Sequence, residues 1–374
     1  VTVHILGTND AAVLSADIAN LTETNAPLST NGTLTISDVD SAATFVAQPN
    51  TAGSYGQFSI GTNGAWSYVA DSAHNEFVAG TTYTDSFAVS SADGTLTSVT
   101  VHILGSNDAA VLSSASITLT ETDAVTDIST SGTLTISDVD SAATFVAQSN
   151  TVGSYGQFSI GTDGAWSYVA NSAHNEFVAG TTYTDTFAVS SADGTFTSVT
   201  VHILGTNDAA VLSADIANLT ETNAPLTTNG TLTISDVDSA ATFVTQTNTA
   251  GSYGQFSIGT NGAWSYVADS AHNEFVAGTT YTDTFAVSSA DGTLTSVTVH
   301  ILGTNDAAVL SADIANLTET NAPLTTNGTL IISDVDSTAT FIAQPGTAGS
   351  YGQFSIGTNG AWSYVANNAH NEFV

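Results

Sequence analysis

Short stretches in which apolar and polar residues alternate fill this chain, and turn-forming residues separate them. The stretch 96–104 places Val99, Val101 and Ile103 on one face and polar residues on the other. The stretch 82–90 alternates in the same way, with Phe87 and Val89 on its apolar face. A period of two residues is that of a β-strand with one buried face. The pattern therefore predicts β-structure, and it supports no helix beyond one turn at 72–77.

The first hundred residues predict seven or eight short strands. Asn63-Gly64 lies between two of them, and the tolerance of this pair for positive φ indicates a tight hairpin. So many short strands in about 98 residues are typical of an all-β Greek-key sandwich of immunoglobulin-like size. The predicted strands cover residues 12–15, 18–22, 32–37, 44–48, 56–60, 65–69, 82–90 and 96–104.

The chain is one unit written nearly four times. The heptapeptide VTVHILG starts at Val1, Val99, Val199 and Val297, so the periods are 98, 100 and 98 residues. Such a period predicts a tandem array, arranged as an extended rod. We expect residues 1–6 to be the last strand of a preceding repeat, followed by repeats at 7–104, 105–204 and 205–302 and an incomplete fourth repeat, 303–374, that lacks its last two strands.

The frame of the repeats predicts that the chain is a window cut from something longer. We expect Val1–Leu6 to pair with a preceding domain, because an orphan apolar strand leaves backbone groups unpaired. Continuation of one long polypeptide is the simpler version of this expectation. Strand exchange between the subunits of a fibre is the other.

The charge balance excludes several classes of function. The 374 residues contain 34 Asp and Glu and no Lys or Arg, for a net charge of −34. Binding to nucleic acid or to anionic lipid needs basic side chains, so neither is expected. No apolar run is long enough to insert into a membrane, and the absence of Cys excludes disulfides. With no Lys or Arg to form salt bridges, the carboxylates must be solvated, protonated or bound to metal cations.

Acidic residues recur at fixed places in every repeat and form the candidate metal site. Each set contains an Asn-Asp pair, a Glu, two Asp separated by one residue and, in the first three repeats, a later Asp. Hard oxygen ligands in this number suit Ca²⁺ better than Mg²⁺, which demands octahedral geometry. The candidate ligands are Asn9, Asp10, Glu23, Asp38, Asp40, Asp93, Asn107, Asp108, Glu121, Asp138, Asp140, Asp193, Asn207, Asp208, Glu221, Asp236, Asp238, Asp291, Asn305, Asp306, Glu319, Asp334 and Asp336.

Other readings of the polar and aromatic residues stay open at this point. The acids could be solvated surface groups, or a carboxylate pair of a glycosidase, although that enzyme needs one cleft and not the same acids at every junction. Trp66 could stack on a sugar, but its flanking alternation favours the core. His74 could bind a metal through its loop, whereas His4 and His102 fit a solvated strand face.

The order of motifs resembles a known family. GTLTISDVDSAATF, YGQFSIGTNGAWSYV, YTDSFAVSSADGT and VTVHILGTNDAAV together look like the VCBS-type repeat of large secreted bacterial adhesins. They are also similar to cadherin repeats, and that likeness implies that Ca²⁺ binds between neighbouring domains. At the first junction the implied ligands are Glu23, Asn107, Asp108, Asp138, Asp140 and Asp193. Ala109-Ala110 departs from both families, which usually carry Ala-Pro there; this loosens the linker and removes no ligand.

The resemblance implies a Ca²⁺-rigidified stalk of a surface adhesin or extracellular filament, with no catalysis. About one to three Ca²⁺ ions would bind per junction. The implied location is extracellular or at the cell surface, reached by type I-like secretion. The implied partners are neighbouring repeats of the same chain or adjacent filament subunits, with cell-surface or matrix glycans as further candidates. The alternative function is a carbohydrate-binding repeat that uses exposed aromatics and Ca²⁺.

Overall fold

The computed structural model describes residues 1–124 and 128–372. Within these residues all regular secondary structure is β-strand, as the alternation predicts. The chain divides into two compact units, Val1–Thr206 and Asn207–Val374, and each is described by itself. The predicted end of the fourth repeat, at 373 and 374, lies outside the described residues, and the repeat boundaries stay a prediction.

Among its described residues, the first unit contains two repeats of nine strands each. The strands of the first repeat are β1 (Val13–Leu14), β2 (Asp17–Thr22), β3 (Ser29–Thr33), β4 (Ile36–Ser37), β5 (Gln48–Ala52), β6 (Gly56–Ile60), β7 (Ala65–Ala70), β8 (Thr82–Ser90) and β9 (Leu96–Leu104). Those of the second are β10 (Val111–Leu112), β11 (Ala115–Thr120), β12 (Ser129–Thr133), β13 (Ile136–Ser137), β14 (Gln148–Val152), β15 (Gly156–Ile160), β16 (Ala165–Ala170), β17 (Thr182–Ser190) and β18 (Phe196–Leu204).

The second unit contains the third repeat, with nine strands, and the fourth, with six among the described residues. The third has β19 (Val211–Leu212), β20 (Asp215–Thr220), β21 (Thr227–Thr231), β22 (Ile234–Ser235), β23 (Gln246–Ala250), β24 (Gly254–Ile258), β25 (Ala263–Ala268), β26 (Thr280–Ser288) and β27 (Leu294–Leu302). The fourth has β28 (Val309–Leu310), β29 (Thr325–Thr329), β30 (Ile332–Ser333), β31 (Gln344–Ala348), β32 (Gly352–Ile356) and β33 (Ala361–Ala366).

Each complete repeat is a sandwich of two sheets. In the first repeat one sheet has the order β2-β9-β8 and the other β3-β7-β6-β5. β1 pairs with β4 in antiparallel fashion, whereas β2 pairs with β9 in parallel. The first strand of the sandwich is therefore divided into β1 and β2, which pair with different strands, as the separate stretches 12–15 and 18–22 predict. The second and third repeats have the same pairings.

The core lies between the two sheets and is filled by the apolar faces that the alternation predicts. Val99 and Val101 of β9 are fully buried and pack with Phe58 and Trp66 of the opposite sheet. The rings of Phe58 and Phe87 stack with their centroids 4.7 Å apart. Burying one such large side chain stabilises a fold by about 1.5–3 kcal/mol. The strands 82–90 and 96–104 have the bounds that the sequence predicts.

Three sequence predictions about local structure are wrong. The predicted strand 44–48 is replaced by β5, and Phe45 forms only an isolated bridge with Ser91. Because the sequence of β5, QPNTA, carries no apolar alternation, this edge strand gives no signal. The predicted strand 32–37 is divided into β3 and β4. The predicted helical turn at 72–77 is a loop in which His74 has a φ of 59°.

The predicted hairpin at Asn63-Gly64 is present between β6 and β7. Gly64 has a φ of 81°, in the left-handed region that glycine tolerates. A Cβ at this position would also lie 2.3 Å from the backbone oxygen of Leu34. The turn therefore requires glycine for both conformation and space.

Val1–Leu6 forms no strand in the structure and its apolar side chains are exposed. Residues 311–324 of the fourth repeat likewise contain no strand, although β2, β11 and β20 occupy the matching place in the other repeats. The pairing of Val1–Leu6 with a preceding domain stays a prediction.

A buried carboxylate fixes the loop between β5 and β6. Asp85, on β8, is 4% exposed and accepts hydrogen bonds from the backbone N–H groups of Ser54 (2.6 Å) and Tyr55 (3.0 Å). The Tyr68 hydroxyl donates a third, at 2.9 Å. Burial, followed by the hydrogen bond to Asp85, raises the pKa of Tyr68. The same contacts recur around Asp185 and Asp283.

Replacing this carboxylate in all three complete repeats (Asp85→Asn, Asp185→Asn, Asp283→Asn) should destabilise each repeat by about 2–3 kcal/mol, because it weakens buried charge-assisted hydrogen bonds. Denaturant unfolding of the full chain measures this. The matched control is Asp71→Asn with Asp269→Asn, since the second repeat already carries Asn171 at that place. An equal loss of stability in the control would contradict the assignment.

The second repeat differs from the first and third at a position that forms a side-chain hydrogen bond. Asp17 accepts a hydrogen bond from the Trp66 indole at 3.1 Å, and Asp215 does the same for Trp264. The second repeat has Ala115 at this position. Ala115→Asp should add the missing bond and stabilise the second repeat by about 1 kcal/mol. A calorimetric scan of the variant that shows no raised transition would refute this.

Candidate metal centre

Backbone hydrogen bonds fix the linker between the first and second repeats. The N–H of Gly105 donates to the Thr81 oxygen at 2.9 Å, and the N–H of Glu23 donates to the Leu104 oxygen at 2.8 Å. A Cβ on Gly105 would lie 2.3 Å from the Val78 oxygen, so the linker runs directly against the preceding repeat. Glu23, just after β2, and the linker are therefore held side by side.

Glu23 is the most deeply buried acid at this junction, with 2% of its surface exposed. Its Oε2 accepts hydrogen bonds from the Ser106 hydroxyl (2.6 Å) and backbone N–H (3.3 Å). Its Oε1 is buried without a hydrogen-bond partner. A buried carboxylate oxygen without a partner carries a large desolvation cost unless something else binds it.

Two further acids of this junction also have buried oxygens without a partner. Asp108 of the linker and Asp140 are 9% and 7% exposed. Asp108 Oδ2 and both carboxylate oxygens of Asp140 are buried without a hydrogen-bond partner. Burial, followed by the charges of Glu23 and Asp138, raises the pKa of Asp108. Burial and the neighbouring Asp138 also raise the pKa of Asp140.

Asp138 and Asp193 differ because hydrogen-bond donors already surround them. Asp138 accepts bonds from the Ser141 hydroxyl (2.6 Å) and from the backbone N–H groups of Ser141 and Asp140. Although burial opposes the change, these bonds lower the pKa of Asp138. Asp193 accepts from Ser191, Thr195, the Ala110 N–H and the Asn107 amide, and the Ser191 hydroxyl is the first cause of its lowered pKa.

The second unit repeats this arrangement at the junction of the third and fourth repeats. Glu221 Oε2 accepts bonds from the hydroxyl (2.6 Å) and N–H (3.1 Å) of Thr304, while its Oε1 has no partner. Asp306 Oδ2 and Asp336 Oδ1 are also buried without a partner. Burial, with Glu221 and Asp336 next, raises the pKa of Asp306. Two separate junctions thus present unpaired oxygens on the same three acids, although Asp336 Oδ2, unlike either oxygen of Asp140, accepts a bond from the Asp306 N–H.

The unpaired atoms fit a divalent calcium ion. All are hard carboxylate oxygens, the ligand type that Ca²⁺ takes in sets of about six to eight. No Lys or Arg exists to neutralise them. Glu23, Asp108 and Asp140 have unpaired oxygens, whereas every oxygen of Asp193 that could bind a metal already accepts hydrogen bonds. The fit is therefore strongest for the first three residues.

The remaining predicted ligands fall into two groups. Near the start of the first repeat the structure brings together Asn9, Asp10, Asp38, Asp40 and Asp93: the Asn9 amide donates to Asp93 at 3.2 Å and the Asp10 N–H donates to Asp40 at 3.1 Å. This group is more exposed than the junction set.

In the other group, Glu121 accepts bonds from Thr206 within the first unit. Within the second unit the Asp208 N–H donates to Asp238, and the Asn207 amide donates to Asp291. Asp236 accepts a bond from the Ser239 hydroxyl, and the Asn305 amide donates to the Asp306 carbonyl. Asp334 accepts bonds from the N–H groups of Asp336 and Ser337. Among the described residues, Glu319 forms no hydrogen bond with these groups.

The histidine and tryptophan side chains have structural roles. Trp66 is 4% exposed and lies in the core. His74 Nε2 lies 2.7 Å from the Tyr55 carbonyl and its Nδ1 lies 2.9 Å from Glu76, so neither ring nitrogen faces a metal position. This pair also corrects the expectation that no salt bridge can form, because a protonated His74 supplies the missing cation. His102 contacts the Thr84 hydroxyl at 2.8 Å.

Sequence reasoning missed two kinds of residue at the junctions. Ser106 and Thr304 orient the buried glutamates, but a hydroxyl in a linker gives no distinct signal. Asn75 reaches the same region: its amide lies 3.5 Å from Asp108 Oδ1. The recurrence of His-Asn-Glu at 74–76 in every repeat is the signal that could have found it.

The chain belongs to the bacterial cadherin-like domain family. The family model matches three times in tandem, at residues 9–105, 107–205 and 207–303. Cadherin-like repeat domains are extracellular structural modules. In the part of the chain that the structure describes, no helix has the length and apolar character needed to cross a bilayer.

Solved structures with similarity to this chain include cadherin ectodomains. The protocadherin gammaB4 extracellular domain has 15% identity over 97% of this chain, with a TM-score of 0.44, and this chain spans 63% of its length. The EC3-6 cis-dimer structure of protocadherin gammaB7 has 14% identity, 98% and 94% coverage and a TM-score of 0.42. Mouse cadherin-23 EC22-24 has 14% identity, 79% and 99% coverage and a TM-score of 0.40. No curated protein sequence matches the chain.

Neutralising one unpaired acid per described junction should change stability in opposite directions with and without calcium. In chelator, Asp140→Asn with Asp336→Asn should raise the melting temperature, because it relieves repulsion among buried carboxylates. In calcium the same variant should melt below the wild type, because a ligand is weakened. Differential scanning calorimetry of the full chain measures both.

The control for this experiment is Asp71→Asn with Asp269→Asn, which removes two exposed charges that are not among the candidate ligands. It should shift both melting curves little. A change of the same sign in chelator and in calcium would contradict a metal role for Asp140 and Asp336.

Proposed function

We propose that this chain is a calcium-stiffened extender segment of a VCBS-type bacterial surface adhesin or extracellular filament. Its role is to set length and stiffness, with no catalytic step. The single observation that carries the proposal is the set of buried, unpartnered carboxylate oxygens on Glu23, Asp108 and Asp140. Glu23 belongs to the first repeat, Asp140 belongs to the second, and Asp108 lies in the linker between them.

A cation bound by these three residues ties consecutive repeats together. Without it, like charges that share a low-dielectric region repel each other and favour an open junction. With it, the binding free energy adds to the stability of the closed junction. Glu221, Asp306 and Asp336 support the same role at the junction in the second unit. The array would then behave as an extended rod in calcium and as linked, mobile sandwiches without it.

Calcium is the ion that fits the proposed environment. Extracellular modules bind Ca²⁺ with dissociation constants on the order of 10⁻⁴–10⁻³ M, which matches an exposed location and not the cytosol. Membership of the bacterial cadherin-like family supports this location. We propose that the chain is secreted by a type I-like route and acquires its stiffness on meeting external calcium. Its partners are then neighbouring repeats or adjacent filament subunits.

The carbohydrate-binding alternative has no support from the tryptophans. Trp66, Trp166, Trp264 and Trp362 are between 3% and 8% exposed, and so offer no face on which a sugar ring could stack. They fill the cores of their repeats instead. We therefore propose the structural role alone.

Small-angle X-ray scattering of the full chain tests this function. In millimolar calcium the particle should be extended and stiff, and in excess chelator the same chain should show the scattering of a flexible string of domains. Restoring calcium should reverse the change, whereas magnesium at the same concentration should restore much less, because it holds its water ligands.

The variant Glu23→Gln with Glu221→Gln should need more calcium to reach the stiff state, since it removes one ligand charge at each of two junctions. Equal stiffness of the wild-type chain in calcium and in chelator would defeat the proposal.

A further inference from the structure

The linker after the first repeat is attached to the loop between β7 and β8 by backbone contacts. The N–H of Gly105 donates to the Thr81 oxygen, and the N–H of Gly80 donates to the Gly105 oxygen, each at 2.9 Å. A Cβ on Gly105 would lie 2.6 Å from the Phe77 oxygen, so the linker rests directly on this loop. The attachment of the linker therefore depends on the shape of the loop.

His74 fixes that shape. Its φ of 59° lies in the left-handed region, which a residue with a side chain adopts at a cost unless its surroundings hold it there. Its carbonyl accepts the N–H of Phe77 at 2.9 Å, and its ring stacks on the Phe77 ring with the centroids 4.5 Å apart. Since Phe77 in turn contacts Gly105, it connects the imidazole to the linker.

Both ring nitrogens of His74 face hydrogen-bond acceptors. Nε2 lies 2.7 Å from the Tyr55 carbonyl, which can only accept, and Nδ1 lies 2.9 Å from a Glu76 oxygen. The bond from His74 lowers the pKa of Glu76, so this carboxyl group is an ionised acceptor at neutral pH. A neutral imidazole has a single N–H and satisfies only one of the two contacts. The imidazolium ring donates to both, and the geometry fits that charged form.

The remaining titratable groups around the ring are acidic or neutral. Asp71 lies in the same loop, and its charge favours a protonated His74. The Tyr55 ring meets the imidazole edge-on, with the centroids 5.8 Å apart, and Tyr83 of β8 stacks on the same phenylalanine as the imidazole does. Asp85 is one step removed, because it binds the N–H of Tyr55. No cation opposes protonation of the ring, since the chain has no Lys or Arg.

The resulting change in the pKa of His74 sets the direction of its pH dependence. Burial lowers this pKa, but the bond to Glu76 and then the bond to the Tyr55 carbonyl outweigh burial, and the pKa is raised from its ordinary value of 6.5. A group whose pKa is raised in the folded state contributes stability that is complete below its ordinary pKa. That contribution is lost as pH rises through the raised pKa. The loop is therefore held firmly in mildly acidic solution and less firmly above neutral pH.

Both other complete repeats contain the same arrangement. His174 and His272 have φ values of 59° and 60°. Their rings contact the equivalent carbonyl and glutamate at distances between 2.7 and 2.9 Å, formed by Tyr155 with Glu176 and by Tyr253 with Glu274. The linker bonds recur at Gly205 and Gly303.

We propose that the imidazolium ring of His74 locks the linker against its own repeat, and that loss of the ring proton loosens the linker. His174 and His272 have the same role at Gly205 and Gly303. The lock is separate from the proposed calcium function, because the ring bonds Tyr55 and Glu76, which are not candidate metal ligands. It makes the attachment of each linker sensitive to pH even when no metal is bound.

Hydrogen exchange of the linker glycines tests this lock. The full chain, with isotope-labelled glycine and in excess chelator, is followed by NMR from about pH 6 to about pH 9, the range that spans histidine titration. Each exchange rate is divided by the intrinsic rate at that pH to give a protection factor. The Gly105 amide and its two counterparts should lose protection by about two- to fivefold as pH rises, the range expected of a partly exposed ion pair.

Two triple variants identify the group responsible. His74→Asn, His174→Asn and His272→Asn together supply a neutral side chain that tolerates positive φ. This variant should show the low protection of the alkaline wild type at every pH. Glu76→Gln, Glu176→Gln and Glu274→Gln together keep the rings and should move the loss of protection to lower pH, because the carboxylate no longer favours the charged ring.

The matched control replaces the three histidines of the long strands, His102→Asn, His202→Asn and His300→Asn, and should keep the wild-type pH dependence. Protection that is independent of pH in the wild type would overturn the inference. So would an unchanged pH dependence in the variant without loop histidines. If that variant fails to fold, the glutamine variant decides, because wild-type pH dependence in it would exclude the ion pair as the lock.

Discussion

The fold depends on a constraint of charge: the chain has 34 carboxylates and no Lys or Arg. Acidic groups in most proteins are neutralised locally by basic side chains, and this chain has only eight histidines for that purpose. Inside the repeats it uses other donors. Asp85 takes backbone N–H groups and a tyrosine hydroxyl, and Glu76 takes a histidine ring. At the junctions these donors are insufficient, and oxygens of Glu23 and Asp140 remain unpaired.

This distribution separates two kinds of acid. Asp85 and Glu76, which stabilise a single repeat, have hydrogen-bond donors within that repeat. The acids between repeats retain buried oxygens without a partner. On the proposed function, an external cation would change the stiffness of the junctions and would leave the sandwiches intact.

Much of the sandwich could be predicted from alternation alone. β8 and β9 are long, and much of each strand buries every second residue in the core. The alternation in the sequence therefore marks where each strand begins and ends. β5 could not be predicted, because this edge strand is mostly exposed and its sequence, QPNTA, has no apolar alternation. The acids of the candidate site were visible because carboxylates at fixed positions in every repeat are unusual. Asn75 was less visible, since asparagine is common in loops and only the recurrence of His-Asn-Glu marks it in the sequence. Its approach to Asp108 is known only from the structure.

The parallel pairing of β2 with β9 has a mechanical consequence. β2 lies near the beginning of a repeat and β9 at its end, and six residue pairs join them, from Asp17 with Val99 to Thr22 with Leu104. Tension applied at the two ends of the repeat pulls these neighbouring strands in opposite directions along their length. The hydrogen bonds are then loaded in shear and must break together, whereas strands peeled from one end release them one at a time. The parallel pairing of β2 with β9, and of its counterparts in the other complete repeats, should therefore make each sandwich resist stretching.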